Sequence, residues 1–359
     1  MSKITSIGTA VPRYRHRQEQ ILDFMQRVYA PDEQGRRKLG FLYRQSAIET
    51  RYSVLPDYSL PAMNWEFYPP AENLEPFPDL DKRMHWYNQH ASTLAIDAIR
   101  ECINRDDLNK ITHLITVSCT GMSAPGLDIE LMELLGLAPS IFHTSVNFMG
   151  CYAAIHAMRM ADAFCKNDRQ ARVLIVCVEL CTLHFQKAPE IDNMISSMLF
   201  SDGAAAIVIS GEDKADGLHI DQFQSAVAIR GKKDMAWQLS TGGFLMTLSA
   251  YVADLVEEDF NKMVNDSLIS AGINRTEISH WCIHPGGKRI LEAVHQSLGF
   301  TNGQLDDSYN ILRDYGNMSS PTVLFVLKRI WKKKLKKQEK ILGAAFGPGL
   351  SFETFILSA

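Results

Sequence analysis

Short apolar runs alternate along the chain with stretches whose apolar residues recur at helical spacing. Lys3 to Val11 predicts a strand closing on Pro12, and Gln18 to Val28 predicts a helix. Tyr58 to Pro78 holds five of the 14 prolines, which predicts an irregular loop. A long helix is predicted from about Lys82 to Asn104, with Ala91, Leu94, Ala95 and Ala98 on one face, and a shorter one from Leu127 to Leu135. His113 to Cys119, Arg172 to Val178 and Ala204 to Ser210 read as central strands. Thr120-Gly121 stops the first, and Ser201-Asp-Gly203 is the turn before the last. Continuous apolar strands between helices predict an α/β fold with a sheet covered on both faces.

The second half of this pattern echoes the first. Ile103-Asn-Arg-Asp-Asp-Leu-Asn-Lys-Ile-Thr-His-Leu-Ile115 returns as Ile273-Asn-Arg-Thr-Glu-Ile-Ser-His-Trp-Cys-Ile283. Gly150-Cys-Tyr-Ala-Ala154, opening a helix, returns as Gly316-Asn-Met-Ser-Ser320, opening another. From the Ile-Asn-Arg anchor it is 48 residues to Cys151 and 44 to Asn317. A strand follows each helix, Arg172 to Val178 and Lys340 to Phe346. Such order predicts a duplicated unit, with halves 1–212 and 213–359 changing over in the polar stretch before Gly217. About a pseudo-twofold axis, Cys151 and Asn317 are then expected to face each other.

Composition removes several classes. With 46% hydrophobic and 22% charged residues, the 359-residue chain is expected to be soluble and globular. A net charge of −4 gives no support for nucleic-acid binding. No apolar run approaches the roughly 18 residues that span a bilayer, and Met1-Ser-Lys-Ile-Thr-Ser-Ile-Gly8 has no signal-peptide pattern. Seven scattered cysteines fit a reducing cytoplasm. No C-x-x-C pair exists, and His280 and His284 lie four apart in a strand pattern, so no metal site is expected.

Chemistry centres on Ser145 to Cys165, where an approach ending at Gly150 presents Cys151 before an Ala- and Met-rich helix. Unpaired N–H groups at a helix start favour a thiolate, so Cys151 is a candidate nucleophile; the plain alternative is a small buried residue. His284 ends a strand before Pro285-Gly-Gly287, at the kind of sheet edge where α/β folds carry function; it is equally a satisfied turn histidine. Asn317 suits a neutral donor for a developing oxyanion. The basic stretch Arg36 to Arg44 is most simply a solvated helix face, as is the lysine run Lys332 to Lys337.

Taken together, Asn-Phe-Met-Gly-Cys151, Ile-His284-Pro-Gly-Gly and Tyr-Gly-Asn317-Met-Ser-Ser resemble the Cys-His-Asn triad of type III polyketide synthases, the chalcone synthase superfamily. Ile111-Thr-His-Leu-Ile115, Leu199-Phe-Ser-Asp-Gly-Ala-Ala-Ala206 and Phe346-Gly-Pro-Gly-Leu350 extend the match over nearly the whole chain. The resemblance implies a thiolase-like, internally duplicated αβαβα layered fold and a homodimer. It implies an acyl chain carried on Cys151 as a thiolate paired with His284, and malonyl-CoA decarboxylated between His284 and Asn317. Coenzyme A thioesters are the implied substrates, with no metal or organic cofactor. Phe200 matches the family's first gatekeeper and Met246 the second. Cys119, Thr120 and His184 align with cavity positions, Ser319 and Gly349 complete the implied substrate contacts, and Ala124 takes the place of the residue that reaches across the dimer.

Lys38, Arg44 and Gly286 are the implied CoA contacts. Phe41 and Gln45 replace two basic residues expected there, which leaves room for an acyl carrier protein as donor on the basic stretch. Segments Glu179 to Gln186 and Asp234 to Leu239 look more like bacterial members that prime with fatty acyl-CoA and make alkylpyrones or alkylresorcinols. A ketoacyl-carrier-protein synthase of the same fold is the nearest alternative, but its His-Gln-Ala-Asn pattern differs from His284-Pro-Gly-Gly. A non-catalytic relative is disfavoured by the intact triad, and a cysteine hydrolase by the duplication.

Overall fold

The computed structural model describes residues 2–29, 32–71, 73–249, 251–301 and 303–359. The first half runs β1 (Lys3–Ala10), β2 (Tyr14–Arg17), α1 (Gln18–Tyr29), α2 (Glu33–Gln45), β3 (Thr50–Ser53), α3 (Leu80–Cys102), β4 (His113–Ser118), α4 (Leu127–Leu135), β5 (Phe142–Asn147), α5 (Ala153–Asn167), β6 (Arg172–Leu180), α6 (Ile191–Leu199) and β7 (Asp202–Ser210). The second runs β8 (Leu218–Val227), β9 (Met235–Ser240), β10 (Gly243–Leu248), α7 (Val252–Ala271), β11 (Ile278–Ile283), α8 (Lys288–Ser297), α9 (Asp306–Tyr315), α10 (Thr322–Trp331), β12 (Lys340–Gly347) and β13 (Ser351–Ser358).

Topology makes the duplication explicit. One half-sheet has the order β1-β7-β6-β4-β5 and the other β8-β13-β12-β11. Counting strands from the start of each half, both begin first, last, second-last, and both repeat the same directions. Antiparallel pairs β1–β7 and β7–β6 correspond to β8–β13 and β13–β12, and parallel β6–β4 corresponds to β12–β11. A short antiparallel contact of β1 with β8, at Lys3–His219 and Ile4–Leu218, joins the half-sheets into nine strands. Among the described residues β5 has no counterpart in the second half.

Strand alternation sorts the side chains into layers. Val173, Ile175 and Cys177 of β6 join an inner core with Ala153, Ala157 and Ala161 of α5 and Val323, Leu324 and Leu327 of α10. Their neighbours Leu174, Val176 and Val178 face an outer core with Ala91, Leu94 and Ala95 of α3. Helices α5 and α10 thus form a middle layer between two half-sheets, with further helices outside, giving the αβαβα order.

Three local expectations shift. Asp202 and Gly203 already belong to β7 rather than to a turn, because Asp202 and Leu180 pair at the sheet edge. The α5 helix starts two residues beyond Cys151, and α10 starts five residues beyond Asn317. Asn317 instead forms a strand-like bridge with Phe200: its N–H donates to Leu199 O at 2.9 Å and its carbonyl accepts from Ser201 N at 2.9 Å. Among its described residues the proline-rich loop is irregular, with a short 3-10 turn at Ala62–Asn64, and Asp57 anchors it by accepting backbone N–H groups of Glu66 and Tyr68.

Gly8 is where α3 lies directly on β1. A Cβ there meets Ala98 O at 2.1 Å and Cys102 N at 2.4 Å, both helix backbone. Gly8→Ala is therefore expected to cost about 1–3 kcal/mol by overpacking, lowering the urea midpoint at unchanged slope; an unchanged midpoint contradicts this packing.

Candidate active site

Three turns from three parts of the chain converge. Gly150, at φ +82°, ends the loop after β5 and delivers Cys151. A Cβ on Gly150 meets Pro348 Cδ at 2.3 Å, so the Gly-Pro-Gly turn after β12 backs the nucleophile loop. His284 leaves the end of β11 with its N–H bonded to Ala344 O at 2.8 Å. Asn317 comes from the bridge described above, after Gly316 at φ +69°, where a side chain would strike Arg51 and Leu199 O. Cys151 and Asn317 do meet across the halves: Cys151 Sγ lies 4.0 Å from Asn317 Oδ1 and 3.5 Å from Ser319 Oγ.

Hydrogen bonds fix the Asn317 amide. Its Oδ1 accepts from Ser319 N at 2.8 Å, and its Nδ2 donates to Gly286 O at 3.1 Å. One Nδ2 hydrogen therefore remains for a ligand. His284 is 1% exposed, and among the described residues neither ring nitrogen has a hydrogen-bond partner. Burial lowers its pKa to about 3, so at neutral pH the ring is a neutral imidazole. Burial likewise pushes the Cys151 thiol up to about 11, against the hydrogen-bonding contact with Ser319 Oγ that pulls it down. Both shifts favour the uncharged thiol and imidazole over the thiolate expected from the helix start. Loss of water around sulfur outweighs the turn's N–H groups, since the helix proper begins further on.

All three residues line one mostly apolar cavity of about 290 Å³. The β9–β10 hairpin forms one wall, and its alternation turns Met235, Trp237, Phe244 and Met246 inward. His184 pins this wall. Its Nε2–H donates to Thr120 O at 2.8 Å, its Nδ1 accepts from Phe244 N at 3.3 Å, and its ring stacks on Phe244 at 4.3 Å. Burial holds it neutral, with a pKa near 3. Trp237 Nε1 donates to Cys119 O at 2.9 Å, fixing the indole in the wall.

Phe200, Met246, Cys119, Thr120, His184 and Ser319 thus sit in the cavity wall as the motif match implied. Gly349 does not; at φ +77° its N–H holds Met235 O at 2.8 Å, so it supports the hairpin from behind. Gly286 lines the cavity but orients Asn317 through its carbonyl. Lys38 and Arg44 lie on the exposed face of α2, outside the wall, while Leu42 and Gln45 of the same helix enter it. Lys288 and Arg289 at the start of α8, and the buried Arg51, are the lysine and arginine residues in the wall itself. Trp237 is an unforeseen member of the wall, and the buried Glu179 stands behind it, bonded to Cys119 N and Thr120 Oγ1. A lone charge after the apolar run Val173 to Val178 was the available signal for Glu179. Among the described residues no group of three or more His, Cys, Asp or Glu side chains is arranged for a metal ion.

A duplicated α/β fold with Cys, His and Asn converging at the junction of its halves defines a thiolase-like condensing enzyme. The chain matches the family model for the N-terminal domain of chalcone and stilbene synthases over residues 1–213 and that for the C-terminal domain over residues 222–359. It belongs to that family, the type III polyketide synthases, and is an enzyme of the acyltransferase type. A putative chalcone synthase of Bacillus subtilis (strain 168) is 29% identical over 100% of this chain and 99% of its own. Probable polyketide synthase 1 of Dictyostelium discoideum is 30% identical over 98% of this chain, which spans 11% of that protein's length. The crystal structure of the C-terminal type III domain of Steely1, a type I/III hybrid from Dictyostelium, superposes with a TM-score of 0.91 at 27% identity, covering 99% of each chain.

A raised thiol pKa has a measurable consequence. Alkylation of Cys151 by iodoacetamide, followed by mass spectrometry, is expected to accelerate with pH through the alkaline range towards a midpoint near 11. A midpoint below pH 7 establishes a resting thiolate instead.

Proposed function

We propose that this enzyme loads a medium- or long-chain acyl group from a coenzyme A thioester onto Cys151 and extends it with malonyl-CoA, closing the product to a pyrone or resorcinol-type ring. The observation that carries the reading is the meeting of Cys151, His284 and Asn317 in one apolar cavity, with the Asn317 amide held by Ser319 N and Gly286 O. A volume of about 290 Å³ stands at the lower end of small-ligand pockets, roughly 300–1,000 Å³, which favours the shorter starters of that range.

In the first step the Cys151 sulfur attacks the thioester carbonyl as His284 takes its proton. The C–S bond to coenzyme A breaks, and the proton passes to the departing thiolate. Malonyl-CoA then loses carbon dioxide, and the electron pair left behind forms an enolate. Its oxygen is held by neutral His284 and by the free Nδ2 hydrogen of Asn317. The enolate carbon attacks the acyl group and Cys151 leaves as thiolate, to be reacylated or reprotonated. Apolar walls suit this chemistry, because a carboxylate moved out of water is readier to leave as carbon dioxide. Nothing in these steps calls for a metal or organic cofactor.

For the donor, positive charge on α2 and at Lys288 and Arg289 near the mouth suits nucleotide phosphates. An acyl carrier protein is the other donor compatible with that charge. A homodimer is supported by β5, an open sheet edge with Phe142 50% exposed, and by α4 packed beside it with Leu134 55% exposed. No helix among the described residues is long and apolar enough to cross a membrane, and all seven cysteines are unpaired, which supports a cytoplasmic setting.

Purified enzyme with malonyl-CoA and a series of acyl-CoAs is expected to release coenzyme A and carbon dioxide and give cyclised products by mass spectrometry. A single β-ketoacyl product on carrier protein overturns the polyketide reading in favour of a ketoacyl-carrier-protein synthase. Cys151→Ala abolishes acyl loading, and Asn317→Ala lowers malonyl decarboxylation about 100-fold while sparing acylation; equal loss of both refutes the division of roles. Phe142→Asp is expected to move the protein from dimer to monomer in light scattering, and a dimer that persists places the interface elsewhere.

A further inference from the structure

Glu179 is the buried titratable group that the steps above leave unused. It stands near the end of β6 with 0% exposure. Its partners among the described residues are three hydrogen-bond donors and no cation. Oε2 accepts from Cys119 N at 2.9 Å and from Thr120 Oγ1 at 2.9 Å; Oε1 accepts from Ser320 Oγ at 2.8 Å. The first pair belongs to the end of β4 in one half, and Ser320 belongs to the Asn317 turn of the other.

Each arm continues to the reacting atoms. Cys119 Sγ accepts the N–H of Gly150, the residue that presents Cys151. Ser320 follows Ser319, whose N–H fixes Asn317 Oδ1 and whose hydroxyl lies 3.5 Å from Cys151 Sγ. Ser319 itself sits at φ +58°, a left-handed conformation that a serine holds only when its surroundings impose it.

We propose that Glu179 is a positioning residue, one carboxylate that clamps the Cys151 turn and the Asn317 turn in register across the two halves. The inference rests on the condensing role of Cys151 and Asn317 argued above. A carboxylate suits the clamp because its two oxygens accept several donors at once, from both sides. Its isolation from any cation is consistent with a structural assignment of that kind: burial raises its pKa to about 7, and the charge, when present, pushes the Cys151 thiol up rather than down. Glu179 therefore helps by geometry, against its own electrostatic effect.

That opposition makes the proposal testable. In Glu179→Gln the amide oxygen keeps Cys119 and Thr120, and the amide nitrogen donates to Ser320, whose hydroxyl reverses its role. Geometry survives and the charge is lost. In Glu179→Ala both arms are cut. Acyl loading of Cys151, followed by intact mass, is expected to stay within about threefold of wild type in Glu179→Gln and to fall about 100-fold in Glu179→Ala. Ser320→Ala cuts only the Asn317 arm, so it is expected to slow malonyl decarboxylation about tenfold while leaving loading unchanged.

Alkylation of Cys151 by iodoacetamide needs no substrate and reads the charge alone. Its pH midpoint is expected to fall in Glu179→Gln, because the nearby anion is gone. Loading lost equally in Glu179→Gln and Glu179→Ala, loading at the wild-type rate in Glu179→Ala, or equal effects of Ser320→Ala on both half-reactions each overturn the clamp. An alkylation midpoint that does not move in Glu179→Gln removes the proximity it requires. If wild-type enzyme neither loads acyl groups nor decarboxylates malonyl-CoA, the functional reading fails, while the alkylation midpoint still reports on Glu179. Should Glu179→Ala not fold, Glu179→Gln and Ser320→Ala carry the test.

Discussion

Close packing of α5 and α10 between two half-sheets is the constraint on which the rest depends. Ala153, Ala154, Ala157 and Ala161 of α5 are fully buried, and their small side chains let a helix lie where two sheets approach. Whatever stands at the start of these two helices is brought to the junction of the halves. Cys151 precedes one and Asn317 the other. The catalytic meeting is thus a result of the same packing that holds the molecule together, and a larger side chain in the middle layer would disturb both at once.

Burial at that junction has a chemical price as well as a benefit. It strips water from sulfur and imidazole, so the pair rests uncharged, with the thiol raised and the imidazole lowered. In the proposed mechanism no ion pair is stored in advance, and charge is created when the proton moves from Cys151 to His284. The same burial strengthens any hydrogen bond made there to a developing negative charge. What keeps the arrangement productive is therefore orientation: Gly286 and Ser319 on the Asn317 amide, Pro348 behind Gly150, and Glu179 reaching both turns.

Around this centre the wall is built from elements of different kinds. The β9–β10 hairpin is a two-stranded ribbon outside the main sheet, and side chains anchor it: Trp237 to Cys119 O and His184 to Phe244 N. His184 illustrates how position alone misleads. It lines the cavity as its motif position implied, yet both ring nitrogens are committed to holding the wall, and a neutral ring with no free donor has little to offer a substrate. Phe200 is tied through its backbone to Asn317, so two positions of the wall share one strand-like bridge.

Much of this was legible in the sequence because it depends on local pattern. The long apolar runs at β4, β6 and β7, the alanine face of α3, the proline-rich loop and the Ile-Asn-Arg repeat are all written in neighbouring residues. So are Cys151, His284 and Asn317, whose glycine-led turns announce special backbone. Less visible were β5, with its mixed polar pattern FHTSVN, and the β9–β10 hairpin, whose apolar face is defined only by the cavity it closes. By itself the sequence determined the elements, their duplication and the three residue types that chemistry needs. Only the tertiary structure decided the burial that shifts Cys151 and His284, the hydrogen bonds that fix the Asn317 amide, the exclusion of Lys38, Arg44 and Gly349 from the wall, and the double reach of Glu179. These depend on burial and on contacts between residues as much as 168 positions apart, which no local pattern encodes.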